Sequence, residues 1–359
     1  MDSVSLEPDA PMAAAGTLDL TALEPYLRQH CVSVFGSIEP RQRLTAQQFG
    51  TGYSNRTYLL GWGAAKCVLR CPPPPPFPPG THDMRREHRV LEHLHPAYPL
   101  APAALHLCRD RSVLGEPFLL MQWRAGRLLS GPVASEIEAI ADGPRQLCDA
   151  FVRALVELHK IEIKKDGLGT LALGGDFLAR HIAGLHKRWL SVAGAGHDVD
   201  QLAQRLNDER PHSNAALMIH NDFKFDNVLI ELSPTPSITA VLDWELSTIG
   251  DPIVDVGMAL AYWQEPADAT GRSHGLGAIT ARAGWPSRRE LFEAYRARRP
   301  LDADMLYCEA LGLFQLAVIV EQLARSERLS DPRHRALSGK GRALLAAALS
   351  LLTRSPSMH

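Results

Sequence analysis

The sequence predicts an α+β fold in which a small β-rich lobe precedes a larger helical one, and three observations carry that prediction. From Arg43 to Trp123 the apolar residues fall in short runs broken by glycine and proline, as strands with tight connections do. After Gly126 they recur with the spacing of long amphipathic helices. The exception is Met218 to Ile249, where short apolar runs carry polar residues between them, so that polar loops are expected at the seam of the two lobes. The resulting division is a tail over 1–16, an N-terminal lobe over 17–123 and a helical lobe over 124–359.

In chain order, residues 1–16 are small, polar and proline-containing, and are expected to be a disordered tail. An amphipathic helix is expected at about Leu18 to Cys31. FGTGYSNRTYLLGW and KCVLR, within Arg43 to Arg70, predict two antiparallel strands and a turn. The proline-rich segment CPPPPPFPPG, Cys71 to Gly80, can neither donate to a ladder nor continue a helix, so it is an extended connection. A helix at Met84 to His95 and a buried strand at Leu114 to Trp123 complete the first lobe. Helices are expected in the second at Gly143 to His159, Asp176 to Ala193, Pro252 to Tyr262, Ser287 to Arg298, Met305 to Arg325 and Arg335 to Leu352.

Composition narrows the function classes. With 359 residues, 45% of them hydrophobic, the chain is long enough for two cores without covalent staples. Thirty-eight Lys and Arg against 40 Asp and Glu leave a net charge of −2, so no global field favours nucleic acid or an anionic membrane. The six cysteines have no metal-site spacing, no stretch of 18 uninterrupted apolar residues occurs, and residues 1–16 lack a signal sequence. A cytoplasmic protein with neither nucleic-acid nor membrane partners is expected.

The chemistry is concentrated in HNDFKFDN, His220 to Asn227, a polar run held between the apolar groups Ala215 to Ile219 and Val228 to Ile230. Phosphoryl transfer needs carboxylates, an amide and cations fixed on rigid turns, to align two oxygens and neutralise the moving charge. His220, Asp222 and Asn227 supply such a set, and Asp243 follows after the strand ITAVL, where a hairpin-like excursion can return a second carboxylate. Asp251 precedes Pro252 as a helix N-cap does, and Asp255 is expected to brace the catalytic loop by hydrogen bonds. Trp244 and Glu245, beside Asp243, could face the acceptor, with packing the expected role of the tryptophan.

These residues resemble the aminoglycoside phosphotransferase and choline kinase branch of the protein-kinase-like fold, over nearly the whole chain after the tail. HNDFKFDN looks like that family's catalytic loop and LDWELSTIGDPIVDVGMAL like its metal-binding segment. The resemblance implies ATP or GTP as donor with Mg²⁺, Asp222 as catalytic base, Asn227 and Asp243 as Mg²⁺ ligands, and His220 as scaffold. Lys224 is expected to meet the γ-phosphate. Gly50, Gly52, Ser54 and Asn55 resemble the glycine-rich nucleotide loop, where backbone N–H groups can approach phosphate. Arg70 stands where the family usually has lysine and Glu87 where its helical partner belongs, so Arg70 could clamp phosphate oxygens, with Lys66 on the same strand face as the alternative. Met121, Gln122 and Trp123 resemble the hinge that holds the base.

Within the family, DWELSTIGDP and the Gly-Tyr-Ser-Asn loop look most like the phosphotransferase domains fused to, or encoded beside, acyl-CoA dehydrogenases. That resemblance implies a hydroxyacyl-CoA acceptor and an acyl-CoA dehydrogenase as pathway partner. The excess of arginine from Arg272 to Arg299 leans the same way, toward an anionic acceptor. Two alternatives stay open: an aminoglycoside or choline-like amino-alcohol kinase with the same chemistry, and a nucleotide-binding regulatory pseudokinase.

Overall fold

The computed structural model describes residues 18–36, 38–49, 55–73, 82–163, 167–172, 174–211, 213, 215–268, 278–325 and 337–354. The chain forms two compact units, one from Met1–Arg127 together with Thr239–Glu245, the other from Leu128–Ile238 and Leu246–His359.

The first unit is built on a five-stranded antiparallel sheet. Its strands are β1 (Thr45–Phe49), β2 (Arg56–Trp62), β3 (Ala65–Cys71), β4 (Ala104–Cys108) and β5 (Phe118–Gln122), in the order β1-β2-β3-β5-β4. The Arg43 to Arg70 region thus holds three strands where two were expected, because FGTGYSNRTYLLGW breaks between β1 and β2, while β2 turns into β3 at Gly63 with φ of 60°. The expected strand at Leu114 starts later, since Leu114 ends the short helix α4 (Arg111–Leu114) and Gly115 takes φ of 83°. One sheet face packs Leu60, Trp62, Cys67 and Leu69 against Leu23 and Leu27 of helix α1 (Leu20–His30), which is followed by the single turn α2 (Val32–Phe35). Alternation along β3 sends Lys66, Val68 and Arg70 to the other face. Helix α3 (Met84–Leu94) starts on Asp83, whose carboxylate accepts from the Arg85 and Arg86 N–H groups, and it buries Glu87 beside Val90, Leu91 and Leu94.

The second unit is mainly helical: α5 (Gly131–Glu138), α6 (Gly143–His159), α7 (Phe177–Ala193), α8 (His197–Asp208), α9 (Pro252–Tyr262), α10 (Arg288–Arg298), α11 (Met305–Ala324) and α12 (Lys340–Arg354). Helices α5 and α8 lie outside the expected set; α5 has only eight residues, and α8 buries only Val199, Leu202 and Leu206. Helix α11 is long and apolar enough to cross a membrane by composition, but it is the central core helix of this unit, largely buried against α9, α12 and α7. Strand β6 (Leu217–Ile219) pairs antiparallel with β9 (Thr248–Gly250), so the polar segments that follow β6 and precede α9 begin from one small ladder. Strand β7 (Val228–Glu231) closes the catalytic loop, and β8 (Ser237–Val241) carries the chain from the second unit into the first.

Candidate active site

In the first unit Arg70 is buried, and its guanidinium is surrounded by acids. Nη1 donates to Glu87 Oε1 at 2.7 Å, Nη2 donates to Asp243 Oδ1, and Glu245 Oε2 lies 3.8 Å from Nη2. Arginine suits this position because its planar fork serves two carboxylates at once. Burial opposes its charge, but Asp243, Glu87 and Glu245 together raise its pKa. Burial pushes the Glu87 carboxyl up to about 7, with Arg70 pulling it down and Asp243 and Glu245 pushing it further up. Asp243 itself sits at φ of 68°, in the left-handed region that a bulky residue avoids, and its side chain is 30% exposed.

Glu245, a candidate to face the acceptor by its place beside Asp243, lies in the cluster around Arg70. Its Oε2 accepts from Asn55 Nδ2 at 2.6 Å, and Asn55 Oδ1 lies 3.0 Å from His82 Nδ1. Asn55 is therefore a buried anchor at the end of the glycine-rich segment, while Gly50, Gly52 and Ser54 lie outside the described residues. Trp244 is packing, as expected: it is buried edge-on to Tyr98, with Nε1 donating to Val241 O at 2.8 Å. Lys66 is exposed, with Nζ 5.4 Å from the centre of the Trp123 ring, whereas Arg70 is the residue on Glu87. Met121 is buried opposite Val68, and the Gln122 N–H donates to Ala103 O at 2.9 Å, so that N–H is already occupied.

In the second unit the catalytic loop alternates anchors and chemistry. Phe223 and Phe225 are buried against Phe151, at ring distances of 4.8 and 4.5 Å, which turns Asp222 and Lys224 the other way. Lys224 Nζ lies 3.0 and 2.8 Å from the two Asp222 oxygens. Asn227, at the end of the 3-10 turn Phe225–Asn227, donates from Nδ2 to Asp222 O and Oδ2, both at 2.9 Å. Asp222 is thus fixed from both sides. Burial works against the Lys224 charge, yet Tyr262 and Asp222 raise its pKa, and its Nζ lies 3.3 Å from Tyr262 Oη. Tyr262 ends α9 with no motif around it, so nothing local in the chain points to this contact.

The scaffold beneath the loop is as expected. Asp255 accepts from the His220 N–H at 2.8 Å and the Asn221 N–H at 2.6 Å, and also meets His159 Nε2 at 3.1 Å. Asp251 caps α9 by accepting from the Ile253 N–H at 2.9 Å. His220 is fully buried, edge-on to Phe223. The arginine excess, in contrast, is answered in part by acids of the same unit. Arg282 pairs with Glu138 at 2.6 Å, Arg298 pairs with Asp149, and Arg288 is ringed by Glu265, Asp268 and Glu309. These cations hold the helices and do not argue for an anionic acceptor; Arg272 lies outside the described residues.

Asp243 in the first unit and Asn227 in the second each offer a hard oxygen donor of the kind Mg²⁺ takes. Asn227 has both its bonds drawn from Nδ2, which leaves the lone pairs of Oδ1 for a cation. Three carboxylates around one guanidinium in the first unit also leave an excess of negative charge that a cation would relieve. Among the described residues no three His, Cys, Asp or Glu side chains are grouped to hold a metal by themselves. Mg²⁺ commonly takes one or two carboxylates and completes its shell from phosphates and water, so each of these donors fits by itself.

A small antiparallel sheet bearing a buried Arg–Glu pair, and a helical unit bearing an aspartate fixed by lysine and asparagine, define a kinase-like phosphotransferase. The phosphotransferase enzyme family APH matches residues 45–291, and the chain belongs to it. It is 32% identical over 319 residues to acyl-CoA dehydrogenase family member 11 of Mus musculus, covering 86% of this chain but 39% of that protein. Identity to acyl-CoA dehydrogenase family member 10 of Mus musculus is 28% over 352 residues, 96% of this chain and 31% of the relative. The chain therefore spans about two fifths or less of the length of these curated relatives. Among solved structures, one from Ralstonia eutropha JMP134 assigned as an aminoglycoside phosphotransferase superposes with a TM-score of 0.76 at 25% identity, over 95% of this chain and 100% of that one. A thermostable mutant of the aminoglycoside phosphotransferase APH(4)-Ia, in complex with AMP-PNP and hygromycin B, shares the fold with a TM-score of 0.59 at 16% identity, over 91% and 98% of the chains.

Proposed function

We propose that this chain is a Mg²⁺-dependent small-molecule kinase that moves the γ-phosphoryl group of ATP or GTP onto a substrate hydroxyl, with a hydroxyacyl-CoA as the acceptor best supported. The observation that carries the reaction class is Asp222, buried and fixed by Lys224 and Asn227. Its carboxylate accepts the acceptor's hydroxyl proton as that oxygen bonds to the γ-phosphorus, and the bond from phosphorus to the β–γ bridging oxygen breaks, releasing the nucleoside diphosphate. Lys224, on the same carboxylate, keeps positive charge beside the transferred group. Arg70 binds donor phosphates while Glu87 holds the other edge of its guanidinium, which requires Nη2 to exchange Asp243 for phosphate. Asp243 and Asn227 are the residues that would serve as Mg²⁺ ligands, and the ion when bound would neutralise phosphate charge.

Support for an acyl acceptor comes from the second unit. A cleft beside Lys224 is lined by Leu129, Phe225, Tyr262, Trp263 and Ile279, with Asp226 as its acid. A polycationic aminoglycoside needs several acids, whereas an acyl chain needs apolar walls. The relatives' names, acyl-CoA dehydrogenase family members 10 and 11, agree with an acyl thioester and with an acyl-CoA dehydrogenase acting on the same pathway. The aromatic walls and Asp226 also favour a second reading, a choline-like amino alcohol, since rings and one carboxylate suit a quaternary ammonium. A cytoplasmic location goes with either reading, supported by six free, buried cysteines.

The test is nucleotide turnover with Mg²⁺ across hydroxyacyl-CoAs, choline-like alcohols and aminoglycosides. Hydroxyacyl-CoA should stimulate it, and Asp222→Asn should reduce turnover by about 10²- to 10⁴-fold with nucleotide affinity retained. Stimulation only by amino alcohols would replace the acyl reading with the second one. Nucleotide binding with no acceptor-stimulated turnover, unchanged by Asp222→Asn, would make the chain a regulatory pseudokinase.

A further inference from the structure

Asn221 lies between buried His220 and Asp222, and its backbone is at φ of 67°. That is the left-handed region, which disfavours an L-residue other than glycine, asparagine less than most. A residue held there needs surrounding structure that fixes it. Asp255 supplies one bond, from below, to the Asn221 N–H. The remaining polar groups of Asn221 are held from elsewhere. Gln315, in the middle of α11 and only 4% exposed, donates from Nε2 to Asn221 O at 2.9 Å and to Asn221 Oδ1 at 3.2 Å. Asn221 Nδ2 donates to Leu246 O at 3.3 Å.

Gln315 is itself oriented. Its Oε1 lies 2.8 Å from His181 Nε2 on α7, and because an amide oxygen only accepts, Nε2 carries the proton. That choice turns the two N–H groups of Gln315 toward Asn221. The His181 ring lies nearly parallel to Phe177, at an interplanar angle of 19°, which fixes its plane. A neutral imidazole suits this site, since burial lowers the pKa of His181 to about 4.

We propose that Gln315, oriented by His181, is a positioning residue for phosphoryl transfer: it holds Asn221 in its left-handed conformation and thereby fixes the direction in which the following Asp222 presents its carboxylate. This rests on the assignment of Asp222 as the group that accepts the hydroxyl proton. Gln315 touches neither Asp222 nor, on this reading, any substrate. Its effect therefore appears in the transfer step and not in nucleotide affinity.

The experiment compares Gln315→Leu with the parent chain, both as such and in an Asn221→Gly background, because glycine adopts positive φ without the brace. Three quantities are read: kcat, the affinity for AMP-PNP with Mg²⁺, and amide hydrogen exchange across residues 218–224. Gln315→Leu should lower kcat by about ten- to a hundredfold, since a small misplacement of a reacting group is enough for that. AMP-PNP affinity should stay within about twofold, and exchange in the loop should accelerate. In the Asn221→Gly background the loss in kcat from Gln315→Leu should shrink to about threefold or less, as coupled neighbours require. Where Gln315→Leu fails to fold, Gln315→Glu, which keeps the acceptor for His181 but turns a second acceptor toward Asn221 O, takes its place and should show the same changes in kcat and exchange. Equal losses in both backgrounds, an unchanged kcat, or a matching loss of AMP-PNP affinity would overturn the proposal. Hydrogen exchange separates this from the assignment it rests on. Should the parent chain transfer phosphate to no acceptor, accelerated exchange relieved by Asn221→Gly would still establish the brace, and unaltered exchange would refute it.

Discussion

Arg70 carries the heaviest electrostatic duty of any single residue described in the first unit, with one guanidinium answering Glu87, Asp243 and Glu245. A lysine could not reproduce this, because a point charge on a flexible stem cannot address two carboxylates along parallel bonds. His181 shows the opposite kind of control, where burial withholds charge. It pulls the imidazole down to about 4 from an ordinary value of 6.5, although the bond to Gln315 resists. The unfolded chain then binds a proton at this residue that the folded chain refuses. The stability this provides is complete above pH 6.5 and is lost as pH falls through about 4. Thermal midpoints followed from pH 7 down to pH 4 should therefore fall less steeply in His181→Gln than in the parent chain. Parallel curves would show that His181 titrates as it does in the unfolded chain.

At the scale of elements, the catalytic loop depends on how closely α9 and α11 cross. A Cβ on Gly257 would lie 2.4 Å from Cys308 O, and one on Gly312 would lie 1.9 Å from Gly257 O, so only glycine permits this contact. The approach places Asp255, two residues before Gly257, under the His220 and Asn221 N–H groups, and it brings Gln315, three residues after Gly312, to the other side of Asn221. Gly312→Ala must push the helices apart. Overpacking of this kind costs about 1–3 kcal/mol, and here it also moves both braces of the loop. Denaturant midpoints and turnover should fall together, and a variant as stable as the parent would show that the helices separate freely.

At the scale of the whole molecule, the first unit is not continuous in sequence. Thr239–Glu245 belongs to it and completes its bonding: Val241 N–H donates to Leu100 O at 2.9 Å, Thr239 Oγ1 donates to Ala125 O at 2.8 Å, and Trp244 packs on Tyr98. The same seven residues bring Asp243 and Glu245 to Arg70. A fragment ending at Arg127 should therefore lack a cooperative thermal transition, which near-ultraviolet circular dichroism of the tyrosine and tryptophan bands would report. A sharp transition in that fragment would show that the sheet and α3 suffice.

The α+β class and the bounds of α6 and α9 were legible in the sequence because hydrophobic periodicity and proline or asparagine-aspartate signals are local properties. HNDFKFDN was legible for a related reason, since its chemistry lies within eight consecutive residues between two apolar runs. The roles expected of Asp255 and Trp244 also followed from neighbours in the chain. What only the tertiary structure decided was set by long-range packing. Glu245 joins Asn55 across 190 residues, Gln315 reaches Asn221 across 94, and Arg288 and Arg298 of α10 are neutralised by acids from other elements. A side chain's charge is written in its residue type. Whether that charge is free for a substrate or already answered by a carboxylate depends on which distant element packs beside it.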